Sequence, residues 1–218
     1  GQHLNGLLKP TSGQVLVDGE DMNGENVDRR RIRQKVGLVF QYPEYQLFEE
    51  TIAKDIAFGP KNQGLSEEEI DQRVRRAMAH VHLDYDKYAE RSPFDLSGGQ
   101  MRRVAIAGVL AMEPKVLILD EPTNGLDPSG IHEIRNLVKS LPSLYDCTVL
   151  ISSHMLSEIE LIADDIGILN HGRMLFEGSM NDLRQYALQS GFAADNLEDV
   201  FLSMVEKDNM DRKQRAKL

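Results

Sequence analysis

The sequence predicts an α/β fold in which a parallel sheet is interrupted by a helical insertion. Three apolar runs, VGLVF, KVLILDE and CTVLISSH, have the composition of buried strands. Helical patterns follow the second and third of these runs, an order typical of parallel strands joined by right-handed crossovers. Residues 43–112, between the first and second runs, carry helical spacing and form the predicted insertion.

The composition of the chain limits its possible functions. With 218 residues, 41% of them hydrophobic, it is long enough for one domain with a subdomain. The formal net charge of −10 disfavours nucleic acid and anionic membranes as partners, so we expect no nucleic-acid ligand. Cys147 is the single cysteine, which excludes an internal disulfide, and its strand pattern indicates a small core residue. No apolar run approaches the roughly 20 residues that a bilayer requires, so at a membrane the chain would dock onto another subunit.

The first part of the chain predicts short elements. Residues 1–13 have the pattern of the last turns of a helix, closed by a Lys-Pro pair and a Thr-Ser-Gly turn. QVLVDG and VGLVF predict two strands around a polar, solvated connection at residues 28–31. Within the insertion, Ser66 and the three glutamates after it predict a helix start, with Glu69 in the capping-box position.

The last part of the chain predicts helices and a short hairpin. MLSEIELIADDIGIL predicts a helix after the third strand, and GRMLFEGS predicts the hairpin. MNDLRQYAL and NLEDVFLSMVEK predict two further helices. The basic segment from Asp208 onward is expected to be a frayed, solvated tail.

Two segments carry residues suited to phosphate and metal chemistry. Ser97, Gly98 and Gly99 stand directly before a helical pattern, where free backbone N–H groups form an anion site. Asp120 and Glu121 end a buried strand, at the sheet edge where ligands bind in open α/β sheets. Asp120 is therefore a candidate for holding Mg²⁺, and Glu121 for orienting or deprotonating an attacking water. Each segment alone also fits an ordinary glycine turn or a core strand that ends in acids.

In this order and spacing, LSGGQ, LILDE and GLD resemble the signature motif, Walker B strand and D-loop of ATP-binding-cassette (ABC) ATPases. The resemblance implies that Gln41 is the Q-loop glutamine, which reaches Mg²⁺ and the attacking water. It implies that His154 is the H-loop residue, which contacts the γ-phosphate and positions Glu121. The residues that it implies for binding ATP across a dimer interface are Ser97, Gly98, Gly99, Gln100 and Asp127.

The resemblance also implies an architecture. The expected fold is a P-loop NTPase-like ABC ATPase core with a parallel sheet plus a helical subdomain, in one domain over residues 1–218. Residues 1–42 and 113–178 would form the sheet core, and residues 43–112 the helical subdomain with the signature motif. Residues 179–218 would form C-terminal helices and a tail.

One family motif does not occur in the sequence. The phosphate-binding loop G-x-x-x-x-G-K-[ST] (Walker A) should stand just before a stretch like GQHLNGLLKPTSG, and nothing here matches it. We therefore expect an N-terminally truncated cassette that does not hydrolyse ATP well by itself. Such a chain could still offer its signature face to the nucleotide of an intact partner.

The two halves resemble different branches of the family. LVFQYPEYQLFEETIAKDIAFGPKN and DLSGGQMRRVAIAGVLAMEPKVLILDEPT resemble the ATPases of energy-coupling-factor transporters, which take up metal ions or vitamins. From Asn124 onward the sequence resembles ATPases of bacitracin- or lantibiotic-type exporters. The resemblance implies that the Q-loop and helical subdomain would build most of the groove for a membrane subunit, so the front half favours uptake. A peptide exporter, a non-transport ABC protein and a catalytically incomplete remnant stay open as alternatives.

The resemblance implies ligands and partners as well. ATP and Mg²⁺ are the expected cofactors, and the expected partners are transmembrane transporter subunits and a second ABC ATPase subunit, arranged head to tail. The expected location is the cytoplasmic face of the cell membrane, as a peripheral subunit.

Overall fold

A computed structural model describes residues 7–24, 27–42, 45–192 and 196–215 of the chain. The chain divides into two compact units, Gly1–Ser153 and His154–Leu218, and each is described by itself. The predicted single domain with its internal boundaries stays a prediction.

The first unit begins with a small antiparallel hairpin. Strand β1, Leu16–Val17, pairs with β2, Glu20–Asp21. Both residues of the connecting turn have positive φ, +50° at Asp18 and +79° at Gly19, as tight hairpin turns require. The predicted QVLVDG strand is thus the first arm of this hairpin. Residues 7 and 8, in the predicted last turns of a helix, form bends instead, and the first six residues lie outside the described ranges. The predicted Thr-Ser-Gly turn at residues 11–13 is a run of bends in which Gly13 has a φ of +82°.

Residues 28–31 are exposed, in agreement with the predicted solvated connection, but they form the start of a helix. Helix α1, Arg29–Lys35, begins there, because the Asp28 side chain accepts hydrogen bonds from the amides of Arg30 and Arg31. Ile32 is its buried residue, which gives the short charged helix one apolar contact with the core. The run of arginines therefore lies on a helix.

A three-stranded parallel sheet lies at the centre of the first unit. Strands β3, Val36–Val39, β4, Val116–Asp120, and β5, Thr148–Ser152, are ordered β3-β4-β5. The predicted parallel arrangement of these runs is confirmed. Helix α6, Pro128–Tyr145, connects β4 to β5. Because all three strands run the same way, their carboxyl ends meet at one edge of the sheet.

Helices fill the segment between β3 and β4. They are α2, Ile52–Asn62, α3, Glu67–His80, α4, Tyr85–Tyr88, and α5, Gly98–Leu110, with a 3₁₀ turn at Pro93–Asp95. Ser66 caps α3 as predicted, and its hydroxyl accepts a hydrogen bond from the Glu69 amide. The Glu69 carboxylate, however, pairs with Arg73 one turn later.

One buried core joins these helices to the sheet. It includes apolar residues of α2, α3, α5, β4 and α6. Helix α5 packs so closely on β3 that a Cβ atom at Gly37 would lie 2.3 Å from Val109 Cγ1. Glycine at this position therefore sets how near the helix with the SGGQ turn lies to the sheet.

Within its described residues, 154–192 and 196–215, the second unit has three helices and a hairpin. Its elements are α7, Leu156–Ile162, β6, Asp165–Asn170, β7, Arg173–Ser179, α8, Met180–Gln189, and α9, Leu197–Arg215. The helix predicted over MLSEIELIADDIGIL ends early, because DIGIL belongs to β6 and pairs with β7. The predicted frayed tail from Asp208 is also wrong, since α9 continues to Arg215. None of the described helices is long and apolar enough to cross a membrane.

Candidate functional site

The N-terminus of α5 is closed by a reciprocal cap. The Ser97 hydroxyl accepts a hydrogen bond from the Gln100 amide at 3.3 Å, and the Gln100 side chain accepts one from the Ser97 amide at 3.1 Å. Gln100 also donates to the Tyr88 hydroxyl at 3.3 Å. This capping box holds both side chains against the helix start.

The two glycines between the capping residues keep this helix end open. A Cβ atom on Gly98 would meet no atom within 4 Å, and one on Gly99 would meet only Leu126 Cδ2, at 3.9 Å. The amides of the first helical turn have no acceptor within the helix. The backbone of Gly98 and Gly99 thus presents N–H groups beside the GLD segment, in a geometry suited to an anion.

The acidic residues lie at the carboxyl end of the central strand. Asp120 ends β4 in register with Ser152 of β5, and the Ser152 hydroxyl donates a hydrogen bond to the Asp120 carboxylate. Both acids are half-buried. The predicted strand that ends in two carboxylates is confirmed, and the serine fixes the direction of the first of them.

Glu121 turns the chain out of the sheet. Its backbone has a φ of +48°, in the left-handed region that side chains other than glycine seldom adopt. Its amide donates to the Ser152 carbonyl at 2.9 Å, and its own carbonyl accepts from the Asn124 amide at 3.1 Å. These bonds hold a tight turn directly after the strand, so the backbone conformation sets where the carboxylate points.

Arg102 connects this turn to the Q-loop. It lies in the second turn of α5 and is only 5% exposed. Its guanidinium donates to the Gln41 carbonyl at 2.8 Å and to carbonyls of the turn after β4. Those carbonyls belong to Pro122 at 2.6 Å, Asn124 at 3.0 Å and Glu121 at 3.3 Å. One side chain of the signature helix therefore contacts the backbone of two segments, the start of the Q-loop and the turn after β4.

The start of the Q-loop is fixed by a glutamine that the sequence analysis did not single out. The Gln46 amide accepts from the Phe40 N–H at 2.8 Å and donates to the Leu38 carbonyl at 3.2 Å. It thus bonds the end of β3 as a neighbouring strand would. The loop that begins at Gln41 is consequently tied down at both ends.

Asp127 caps the helix after β4. Its carboxylate accepts from the Gly130 amide at 3.0 Å, and Pro128 occupies the first helical position. The side chain is exposed. The structure therefore gives Asp127 a local capping role, and its predicted part in ATP binding and cross-interface signalling stays a prediction.

His154 begins the second compact unit. Its predicted contact with the γ-phosphate and its effect on Glu121 stay predictions. The other predicted site residues, Gln41, Ser97–Gln100, Asp120, Glu121 and Asp127, all lie in the first unit.

Sequence reasoning missed the residues that support the site. Ser152 could have been found from strand register, since it ends its strand as Asp120 ends the neighbouring one. Arg102 stands in a helical pattern that reads as amphipathic, and nothing in its spacing shows that it is buried. Its role depends on contacts 19 to 61 residues away in sequence.

The site offers oxygen donors suited to a Mg²⁺ ion that is bound by only one or two protein groups. Among the described side chains, no group of three or more His, Cys, Asp or Glu could hold a metal. Mg²⁺ in phosphate-transfer sites binds through one or two protein oxygens plus substrate phosphates. The Asp120 carboxylate, held by Ser152, and the Gln41 side chain are donors of this kind.

Sequence comparisons place the chain beside known proteins. A family model described as ABC transporter matches residues 2–124. The energy-coupling factor transporter ATP-binding protein EcfA2 of Clostridium tetani is 53% identical over 209 residues, 94% of this chain and 73% of that protein. EcfA2 of Clostridium acetobutylicum is 50% identical over 216 residues, 99% of this chain and 73% of that protein. The second alignment includes the stretch from Asn124 onward, so the similarity extends over both halves.

Solved structures share the fold. The structure of cbiO1 from Clostridium perfringens, described as part of the ABC transporter complex cbiONQ, has a TM-score of 0.75 and 37% identity. That match covers 86% of this chain and 77% of the other. A dimeric ATP-binding cassette in a post-hydrolysis state, bound to ADP and Pi, has a TM-score of 0.70 and 28% identity, over 82% and 78% of the two chains. The predicted α/β fold with a parallel sheet and helices is confirmed.

Proposed function

Since this chain belongs to the ABC transporter family, as an ATP-binding protein of the energy-coupling factor type, we propose that it drives uptake of a metal ion or vitamin through membrane subunits. It is an ABC-type ATPase by its similarity to EcfA2. The observation that carries the mechanism is the contact of Arg102 with the backbone of Gln41 and Glu121. Through it, the signature helix, the Q-loop and the acidic turn form one site.

The signature turn binds phosphate through its backbone. Ser97 and Gln100 bond each other in the cap, so the amides of Gly98 and Gly99 are the groups left to face a ligand. A second ATPase subunit, head to tail, would place its nucleotide against this turn. Asp127 would report the state of that interface from the start of α6.

The acidic turn prepares the hydrolytic water. Glu121 orients the water or accepts its proton, and the left-handed turn together with Ser152 and Arg102 holds its backbone in place. Asp120 and Gln41 would hold Mg²⁺, which would supply neutralisation of the phosphate charge. His154 contacts the γ-phosphate. Catalysis by this chain is then mainly positioning and electrostatics.

An exposed aromatic surface near the Q-loop fits a membrane partner. Four rings, which we call the aromatic patch, are between 44% and 83% exposed: Tyr42, Tyr45, Phe48 and Phe58. Phe48 and Phe58 pack edge to face, with ring centres 4.7 Å apart. Exposed apolar clusters of this kind mark protein contacts. We assign this patch to a transmembrane subunit, with the chain peripheral on the cytoplasmic face of the membrane.

Glu121→Gln tests the chemistry, because the amide keeps the shape of the side chain but cannot accept the proton. Mg-ATP binding is measured by calorimetry, and turnover is measured with a second ATPase subunit of the energy-coupling factor type. We expect turnover to fall by at least about tenfold, with the Kd for Mg-ATP changed less than about threefold. Glu133→Gln, an exposed carboxylate on α6, is the matched control. Equal turnover in the two variants would contradict the role of Glu121.

Phe48→Ser and Phe58→Ser test the membrane partner. Each is expected to reduce co-purification of the chain with energy-coupling factor membrane subunits by at least about tenfold, because aromatic anchors carry much of the energy of an interface. Leu188→Ser is the matched control, since Leu188 is also exposed and belongs to the second unit. Loss of binding in all three variants would indicate a general folding effect, and retention in all three would contradict the assignment of the patch.

A further inference from the structure

Arg102 places a permanent positive charge inside the first unit. It is 5% exposed, and its donors meet four backbone carbonyls from two segments. Burying a charge is costly unless it is richly hydrogen-bonded, so a residue held this way is tied firmly to its acceptors. The two segments contacted are the start of the Q-loop and the turn after β4.

The guanidinium organises the turn as well as touching it. Three of its acceptors, the carbonyls of Glu121, Pro122 and Asn124, converge on one nitrogen, Nη1. The Glu121 carbonyl is the same oxygen that accepts from the Asn124 amide within the turn. Three carbonyl dipoles pointing toward one another repel, and the cation between them offsets that repulsion. The guanidinium therefore stabilises the left-handed turn at Glu121 together with the backbone hydrogen bonds of that turn.

We propose that Arg102 is a positioning residue that couples the signature helix to Glu121 and Gln41 together. The proposal rests in part on the proposed ATPase function. Arg102 lies in the second turn of the helix whose first turn carries Gly98 and Gly99. A shift of that helix when phosphate binds its N-terminus moves the guanidinium, and with it the backbone of both site segments. Occupancy of the signature turn is thereby transmitted to the acid that handles water and to the Q-loop.

The geometry requires arginine rather than any cation. The planar fork of a guanidinium reaches separate acceptors with separate nitrogens, here Nη1 for the turn and Nη2 for Gln41, whereas a lysine ammonium is one point. Arg103, the next residue, is the matched comparison. It also leaves α5 and bonds carbonyls, those of Val81 and His82 at 3.5 Å, but it contacts neither the Q-loop nor the turn after β4 in these bonds.

Hydrogen exchange on the purified chain tests the coupling without relying on turnover. The reporters are three amides bonded within the two segments: those of Phe40, Glu121 and Asn124. In Arg102→Met we expect all three to exchange at least about tenfold faster. In Arg103→Met they should stay within about twofold of the parent.

Unchanged exchange in folded Arg102→Met, or equal acceleration throughout α5, would overturn the proposal. If Arg102→Met does not fold, Arg102→Lys takes its place. We then expect faster exchange either at the Phe40 amide or at the amides of Glu121 and Asn124, because one ammonium group cannot hold both segments.

Turnover of the complex with a second ATPase subunit provides the kinetic test. For Arg102→Lys we expect kcat to fall by about tenfold or more with KM within about threefold, because positioning affects the reacting geometry more than ground-state binding. Arg103→Lys should stay within about twofold in both constants. In Arg102→Ala, added guanidinium ion should restore part of kcat. Parent-level kcat in Arg102→Lys would overturn the proposal. A parent complex without turnover would instead count against the proposed function and leave the exchange result to decide the coupling.

Discussion

Ser152 donates a hydrogen bond to the Asp120 carboxylate across the carboxyl ends of β5 and β4, where the two residues are register partners. The bond links the third predicted strand to the acid proposed to hold Mg²⁺. It also orients one carboxylate oxygen and leaves the other for a ligand. The sheet thus contributes directly to the site.

Ser152→Ala should weaken Mg²⁺ binding, because the carboxylate loses the group that orients it. Loss of such a supporting hydrogen bond to a ligand lowers metal affinity by about tenfold. The measurement is a Mg²⁺ titration at fixed ATP concentration. Ser143→Ala, which removes an exposed serine that bonds the Ser140 carbonyl, is the control and should match the parent. Equal affinity in both variants would remove Ser152 from the site.

Gly130→Ala should destabilise the start of α6. A Cβ atom there would lie 2.9 Å from the Asp127 carboxylate oxygen that caps the helix and 3.3 Å from Leu126 Cβ. Loss of the cap costs about 1 kcal/mol in the free energy of unfolding, measured in urea. Asp127→Ala should lower the free energy of unfolding by a similar amount. The double variant should lower it by less than the sum of the two, because both changes remove the same capping hydrogen bond. Fully additive costs would show that the two changes act separately.

The stability of the chain should fall as the pH drops below about 6.5, the ordinary pKa of histidine, in part through His80. Burial, followed by the charges of Arg76 and His82, lowers the pKa of His80. The unfolded chain therefore binds a proton at His80 more readily than the folded chain does. The contribution of His80 to stability is complete above about pH 6.5 and is lost as the pH falls below that value.

The comparison is the free energy of unfolding at pH 7.5 and pH 5.5. His80→Gln should show a smaller acid loss than the parent. The ring of His80 packs edge to face on Tyr145 at 5.1 Å, so the variant is judged by its pH dependence and not by its absolute stability. An acid loss equal to that of the parent would exclude His80 as a contributor.

Asp208→Ala should destabilise the second unit. Asp208 is 6% exposed, accepts from Asn170 at 2.9 Å and pairs with Arg173 at 3.2 Å, which joins α9 to the β6–β7 hairpin. Loss of such charge-assisted bonds costs roughly 1.5–3 kcal/mol. Asp211→Ala, an exposed acid on the same helix, should change stability by less than about 0.5 kcal/mol in the same thermal or urea unfolding experiment.

Elements with strong local patterns were predictable. The apolar run ending in Asp120 and Glu121, the serine cap of α3 and the helices after residue 179 formed as expected. Predictions failed where the pattern was short or mixed. DIGIL continues a helical spacing but pairs as a strand, because β7 supplies hydrogen bonds that a local pattern cannot show. Asp208 stands in a basic, polar segment, yet α9 buries it against the hairpin.

The sequence by itself determined the family, the order of the elements and the chemical groups available, since motifs such as LSGGQ and LILDE combine residue type with local conformation. Tertiary structure alone decided which groups support one another. Strand register aligned Ser152 with Asp120, and burial turned Arg102 from one arginine among several on a helix into the contact between the Q-loop and the acidic turn. Both outcomes depend on long-range packing: a short pattern records which groups a segment offers, whereas a buried cation is stable only where distant carbonyls converge on it.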